Sequence, residues 1–283
     1  MARKASRSVV IAVTSDLHCG STVALCPPVI HLDDGGEYRA SKAQLWLWEN
    51  WRDFWGRVDA QRKASGASLY QVYNGDMTEG DHHKTTQILS GNPTAQATVV
   101  NEVMRVPLAL KPEGIIVVRG TEAHVGASAC YEERIASGLR KDGYKVLVDD
   151  ATGNASHWHF EMDVQGVRFD FAHHGRVGAR PWAKPNAVHA PAPEIFYNAA
   201  ANERPFPHLA VRSHMHQYVD THDSHPTRLI QMPAWQLATA FIHRIAPNAL
   251  ADVGGLIITV TEGEMTVEPV RYRPAQPPMR SIA

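Results

Sequence analysis

The sequence predicts an α/β protein of two packed sheets with helices outside, and three observations predict it. Short β-branched strands alternate with helical segments through the first half, the signature of parallel βαβ units. In the second half, apolar and polar residues alternate as in antiparallel hairpins with one buried side. The chain of 283 residues is 44% apolar and 20% charged, enough to bury a core, which excludes a mainly disordered or fibrous protein.

Taken in order, Ser8 to Ser15 reads as a buried strand, a β-branched run bounded by polar residues. Residues 19–41 read as an irregular insertion, punctuated by Pro27-Pro28 and Asp33-Asp34-Gly35-Gly36. A helix is expected from Lys42 to Ala64, because Leu47, Trp51, Phe54, Trp55 and Val58 recur on one face with Trp48 beside them. Trp48, Trp51 and Trp55 are therefore core anchors; of the four tryptophans in this helix only Trp46, off that stripe, is available to a partner or substrate. Ser68 to Tyr73 and Gly114 to Val118 give two more strands, with a helix over Thr94 to Leu110 between them. A helix from Ala127 to Lys141 and a short strand from Lys145 to Val148 follow. His157 to Phe171 forms a hairpin about Gln165-Gly166, Leu209 to Arg212 is a short strand, and Leu256 to Tyr272 is a second hairpin about Glu262-Gly263. No repeat, low-complexity block or long linker interrupts residues 1–283, so one domain is the simplest reading.

Charge and cysteines narrow the classes. With 28 basic and 29 acidic residues the formal charge is −1, so a broad electrostatic grip on nucleic acid or an anionic membrane is not expected. No apolar run approaches the roughly 20 residues of a membrane span. The basic start is followed only by Val9 to Val13 before Asp16 and His18, too short for a secretory h-region. Three cysteines form no disulfide framework and point to a reducing cytoplasm. The 16 histidines stand out, because imidazole is the commonest metal ligand.

Polar residues gather where strands end. Asp16-Leu17-His18 follows the first strand, Gly75-Asp76 the second, with Glu79, Asp81, His82 and His83 close behind. Gly120-Thr121-Glu122-Ala123-His124 follows the third, His173-His174-Gly175 the first hairpin, and Ser213-His214-Met215-His216 the short strand. Ligands in open α/β folds collect at carboxyl ends of strands, so five such loops can converge on one pocket. Carboxylates with imidazoles suit Mn, Fe or Zn, and alternate positions such as Asp-x-His or His-x-His point two side chains the same way. Strand phase places His173 with Phe169 and Phe171 toward the core, and His174 opposite.

In these blocks the sequence resembles the calcineurin-like metallophosphoesterase superfamily, over a span from Asp16 to His216. Asp16-Leu17-His18 matches the Asp-x-His block, Gly75-Asp76 with Glu79 the Gly-Asp-x-x-Asp/Glu block, His174-Gly175 the His-Gly block, and His214-Met215-His216 the Gly-His-x-His block with Ser213 in place of glycine. The resemblance implies a four-layer αββα sandwich of two mixed sheets flanked by helices. It also implies two divalent transition-metal ions (Mn, Fe or Zn, with Mn favoured). Asp16, His18 and His216 would hold the first, His174 and His214 the second, and Asp76 would bridge them. The third block departs from the family's Gly-Asn-His-Asp/Glu: Thr121 stands at the asparagine position, offering the second metal a hydroxyl, and Glu122 stands at the histidine position. His124 is then the expected catalytic histidine, with Glu122, His82 and His83 as substrate-binding candidates.

The implied activity is metal-dependent hydrolysis of phosphate esters by a metal-bridging hydroxide. Diesters are favoured, because the charge of Glu122 near the phosphoryl group would repel a dianionic monoester more than a monoanionic diester. A small-molecule or nucleotide phosphoester is the expected substrate. A phosphomonoesterase or a nuclease on the same site are the alternatives, the basic Arg168, Arg176, Arg180 and Lys184 supporting the latter and the neutral overall charge opposing it. A catalytically silent scaffold would show degraded ligand positions, and a dinuclear hydrolase of another kind, such as an amidine hydrolase, would need another order of blocks.

Overall fold

The computed structural model describes residues 8–82, 85–175, 185–246, 250–275 and 281. The first half runs β1 (Val9–Thr14), β2 (Val29–His31), β3 (Glu37–Arg39), α1 (Lys42–Ser65), β4 (Ser68–Asn74), α2 (Pro93–Leu108), β5 (Gly114–Val118), α3 (Glu122–Val125) and α4 (Cys130–Lys141). The second runs β6 (His159–Val164), β7 (Val167–His174), α5 (Asn186–His189), α6 (Pro191–Ala201), β8 (Leu209–Ser213), β9 (Val219–Asp220), β10 (Arg228–Gln231), α7 (Ala240–Ile245), β11 (Val253–Thr261) and β12 (Glu264–Tyr272).

Two five-stranded mixed sheets result. The first has the order β12-β11-β1-β4-β5, with β1, β4 and β5 parallel and the C-terminal hairpin added antiparallel at β1. The second has the order β6-β7-β8-β10-β9, with β7, β8 and β10 parallel. Both expected hairpins are antiparallel, β6 with β7 and β11 with β12, and the antiparallel expectation for the second half is corrected only at β7, β8 and β10. Alternation along β7 shows which face is buried and says nothing about strand partners, and the helical connection through α5 and α6 lets β8 return parallel.

The core explains the layering. Ile11, Val13, Val72 and Ile116 of the first sheet pack against Phe169, Phe171, Val211 and Ile230 of the second. The other face of the first sheet, with Val10, Ala12, Ile115 and Val117, buries Trp51, Trp55, Val103 and Leu139 of α1, α2 and α4. The other face of the second carries Ala210 and Leu229 against Val188 and Ala192 of α5 and α6. These are the four layers of an αββα sandwich.

Helix α1 starts at a capping box, Ser41 with Gln44, and stops at Gly66, whose left-handed φ of 60° a side chain would resist. Its apolar stripe buries Leu47, Trp51, Phe54, Trp55 and Val58, and the Trp51 indole donates to the Val103 carbonyl at 3.2 Å. Trp46 joins Trp48 as a partly buried residue against the same core, so it is packed and not a free platform. The 19–41 insertion contains the β2–β3 hairpin and sends Leu25, Cys26 and Ile30 into the helical-side core. The expected strand at Lys145 to Val148 shrinks to one bridge between Val146 and Ile115. Among the described residues no helix is long and apolar enough to cross a membrane.

Candidate metal centre

The parallel strands β1, β4 and β5 of one sheet and β7 and β8 of the other end on the same rim, where five loops meet. Asp16, His18, Asp76, His214 and His216 each take a left-handed backbone, with φ of 52°, 45°, 53°, 72° and 52°. Such a conformation costs a non-glycine residue roughly 1–3 kcal/mol and persists where surrounding structure imposes it, which is characteristic of functional sites. The turns, and not strand alternation, therefore bring Asp16 together with His18 and His216, and His214 together with Asp76. Two glycines let the loops approach. A Cβ on Gly75 would lie 2.2 Å from the His173 Nδ1, and one on Gly120 would lie 2.2 Å from the Asp76 Oδ1.

Two triads of side chains offer ligand atoms within 4.8 Å of one another: Asp16, His18 and His216, and Asp76, His173 and His214. Asp16 Oδ1 is fully buried and faces the Nε2 atoms of His216 at 3.3 Å, His18 at 3.9 Å and His173 at 4.0 Å. Its other oxygen accepts from the Ser15 hydroxyl at 2.6 Å and the His214 amide at 3.3 Å. Asp76 Oδ2 lies 3.0 Å from His173 Nε2 and 3.9 Å from His214 Nδ1, while Oδ1 accepts from the Thr121 amide at 2.6 Å. Burial alone would raise both carboxyls; His216 for Asp16 and His173 for Asp76 outweigh it and hold both below the usual range.

The structure brings His173, not His174, among the carboxylates. His173 is buried, and its Nδ1 lies 2.7 Å from the Asn74 carbonyl, which can only accept; Nδ1 therefore carries the proton and Nε2 is turned to Asp76. Burial opposes its charge, but Asp76 and Asp16 raise it to about 10. His174 is exposed at the rim, 3.3 Å from the Thr121 hydroxyl, and belongs to neither triad. The same Thr121 hydroxyl lies 3.0 Å from His214 Nδ1, so His174 stays at the edge of the group while His173 enters it, for a physical reason. The inward phase shared with Phe169 and Phe171 leads, at the end of β7, to the space between the sheets where the carboxylates lie. Thr121 reaches the expected region, its hydroxyl 3.0 Å from His214 Nδ1.

Asn74 ties the two sheets together beneath the site. Its Nδ2 donates to the Ala172 carbonyl at 3.1 Å and to the Ser213 hydroxyl at 2.6 Å. Ser213, where a glycine was the comparison, thus has a structural use.

Glu79 Oε2 lies 2.8 Å from His18 Nδ1 and accepts from the Gln236 amide at 2.9 Å, the carboxylate–imidazole arrangement that fixes a ligating ring. His82 lies 3.3 Å from the other Glu79 oxygen and sets its ring edge-on to His124, with centroids 4.2 Å apart. His124 donates from Nδ1 to the Glu79 carbonyl at 2.8 Å, and burial together with nearby His18 lowers it to about 4, so it is neutral at pH 7. His18, Glu79 and His124 form a third group able to hold an ion, sharing His18 with the first triad. Glu132 was not singled out in the sequence. Fully buried on α4, it accepts from the Met77 amide at 3.2 Å and the Gly120 amide at 2.6 Å, clamping the loops that carry Asp76 and Thr121. Only its place on a helix's buried face, among apolar residues, signals it.

Glu122 lies apart from these groups. It is exposed and accepts from the Ser128 amide at 2.9 Å, serving the turn after α3, and it does not line the cavity. His83, and the cations Arg176, Arg180 and Lys184, lie outside the described residues.

The donor set fits divalent transition metals. Each triad combines a buried carboxylate with two imidazoles, three protein ligands of the kind Mn, Fe and Zn accept. The triads touch through His173 Nε2, 3.0 Å from one carboxylate and 4.0 Å from the other.

No protein-family model matches the sequence, and no curated protein matches it. Among solved structures, a dimetal phosphatase from Danio rerio is similar at 11% identity, over 93% of this chain and 96% of that one, with a TM-score of 0.44. A hypothetical protein from Pyrococcus horikoshii is similar at 9% identity, over 94% and 88%, with a TM-score of 0.42. A 5'-nucleotidase from Candida albicans is similar at 12% identity and a TM-score of 0.35, over 81% of this chain but only 46% of that one.

Proposed function

We propose that this protein is a phosphoesterase that uses two divalent transition-metal ions, Mn being favoured, to hydrolyse a small-molecule or nucleotide phosphoester. The observation that carries the reading is the pair of adjacent Asp–His–His triads at one sheet rim. Cations so held would acidify a water molecule and neutralise phosphoryl oxygens, the chemistry that paired metal sites supply to phosphate-ester hydrolysis.

The protein's own groups divide the remaining work. Asp16, His18 and His216 hold one position; Asp76, His173 and His214 hold the other, with the Thr121 hydroxyl beside His214. His124 is the catalytic histidine of this reading. With Nδ1 committed to the Glu79 carbonyl, its Nε2 is free to take a proton and return it to the departing oxygen. His82, against His124 and on the cavity wall, contacts substrate.

Asp76→Asn tests the proposal. It is expected to abolish turnover of chromogenic phosphoesters and to reduce bound Mn below one ion per chain, measured by metal analysis after gel filtration. Normal turnover by this variant would refute the assignment.

A further inference from the structure

The cavity at the candidate metal centre has two unlike walls. Its volume is about 330 Å³, and its lining includes the polar His18, Asp76, Glu79, His82, His124 and His216. The apolar part of the lining, Leu237, Ala238, Phe241, Ile242 and Leu250, comes from the segment after β10. The segment that carries this apolar lining is tied to the loops around the site. The Trp235 amide donates to the Asp16 carbonyl and the Leu237 amide to the Val23 carbonyl, both at 2.9 Å, and the Ala240 amide donates to the Gln87 side chain at 2.7 Å. The chain then turns into α7, capped by the Thr239 hydroxyl accepting from the Ile242 amide.

Of the polar groups along this wall, Gln236 is committed to Glu79 and Thr239 to its own helix. Of the apolar groups, Phe241 carries the Arg244 guanidinium over its ring at 5.5 Å to the centroid and stays otherwise open. No residue of α7 is buried, and Phe241 and Leu250, each 56% exposed, hold large apolar side chains in water beside a polar centre. An exposed apolar patch joined to a polar reaction site marks the place of a ligand's apolar portion.

We infer that this wall binds the organic group of the ester and selects phosphoesters of apolar alcohols, alkyl or aryl, over those of sugars. The inference rests on the phosphoesterase reading above. The phosphoryl group would lie among the triads, and the carbon chain attached to it would leave along Phe241 and Leu250.

The test is calorimetric binding of methyl-, butyl- and hexylphosphonate to the Mn-loaded protein, together with hydrolysis of p-nitrophenyl esters by the same preparation. Each methylene buried is expected to lower Kd about two- to fourfold, up to ~0.8 kcal/mol. In Phe241→Ala combined with Leu250→Ala, the ratio of methyl- to hexylphosphonate Kd should collapse toward one. Both residues are exposed, so their truncation opens no core cavity, and an unchanged melting temperature would show the fold intact. A Kd independent of chain length, an undiminished chain-length effect in the double variant, or tighter binding of ribose 5-phosphate than of hexylphosphonate would each overturn the inference. If ester hydrolysis persists in that case, the phosphoesterase reading stands and only the apolar selectivity falls. If neither phosphonate binding nor hydrolysis is seen, both fall.

Discussion

The Nε2 of His173 lies 3.0 Å from the Oδ2 of Asp76, with both side chains buried at the point where the two sheets part. The Asn74 carbonyl behind the ring sets its orientation, so the nitrogen facing Asp76 is the one able to bind an ion once its proton leaves. In the metal-free protein that proton stays and the pair is a buried ion pair. In the proposed metal-bound form the same geometry would serve as a ligand set.

This arrangement separates two adjacent histidines. His173→Ala is expected to lose the second ion, leaving Asp76 buried without its partner, whereas His174→Ala should retain both ions. Metal content of the two variants after dialysis against trace Mn decides between them, and the opposite ranking would return the ligand role to His174.

The pH dependence of the metal-free protein follows from the same pair. The folded value of His173 is raised from about 6.5 to about 10, so its contribution to stability is complete below 6.5 and is lost as pH rises toward 10. His18, raised by Glu79 against its burial, acts in the same direction, as does Glu132, pushed up by burial to about 8. Asp76 is depressed, so its contribution is complete above about 4 and is lost below. Metal-free stability should therefore peak between about pH 4 and 6.5. Added Mn displaces the imidazole protons, so its stabilisation should grow with pH. Melting curves from pH 4 to 10 with and without Mn test this; a metal-free melting temperature that climbs from pH 6.5 to 10 would contradict it.

Glu132 touches neither triad yet fixes the spacing between two of its loops. Glutamine keeps one acceptor and turns an amide N–H toward the amide that loses its partner. Glu132→Gln should cost about 1–3 kcal/mol of stability and weaken Mn binding by roughly 10–100-fold. Titration of Mn into the metal-free variant checks the second figure, and unchanged affinity would reduce Glu132 to a packing residue.

Glu122→Gln is expected to be nearly silent, within about ±0.5 kcal/mol in stability, because its carboxylate serves an exposed turn. The ratio of monoester to diester turnover should not move; a clear shift would place Glu122 back at the phosphoryl group.

Much of the frame was legible in the sequence. The stripe from Leu47 to Val58 predicts a helix over Lys42 to Ala64 that is observed as Lys42–Ser65, and the strand at Gly114–Val118 is observed with the same bounds. Strong periodicity and tight apolar runs carry that information locally. Strand partners do not reside in any one segment, which is why the parallel pairing of β7, β8 and β10 was hidden. At the site, spacing marks Asp16, His18, Asp76, His214 and His216, residues that the turns then assemble. His173 shows the limit of phase arguments: inward was correct, but inward at that height is a cluster of carboxylates and not hydrocarbon. Glu132 and Asn74 act through backbone groups of loops distant in sequence, a relation that no residue pattern encodes.

The left-handed backbone shared by five of the candidate ligands has a consequence for how this protein would age in a lineage. Those positions are among the ones where the described backbone takes a conformation that side chains resist. A glycine or asparagine arriving there by chance would relax the chain while disarming it. Under the proposed metal role, selection for a sturdy fold and selection for the ions would pull in opposite directions at the same few codons, and copies that lost the ions would persist as well-folded relics.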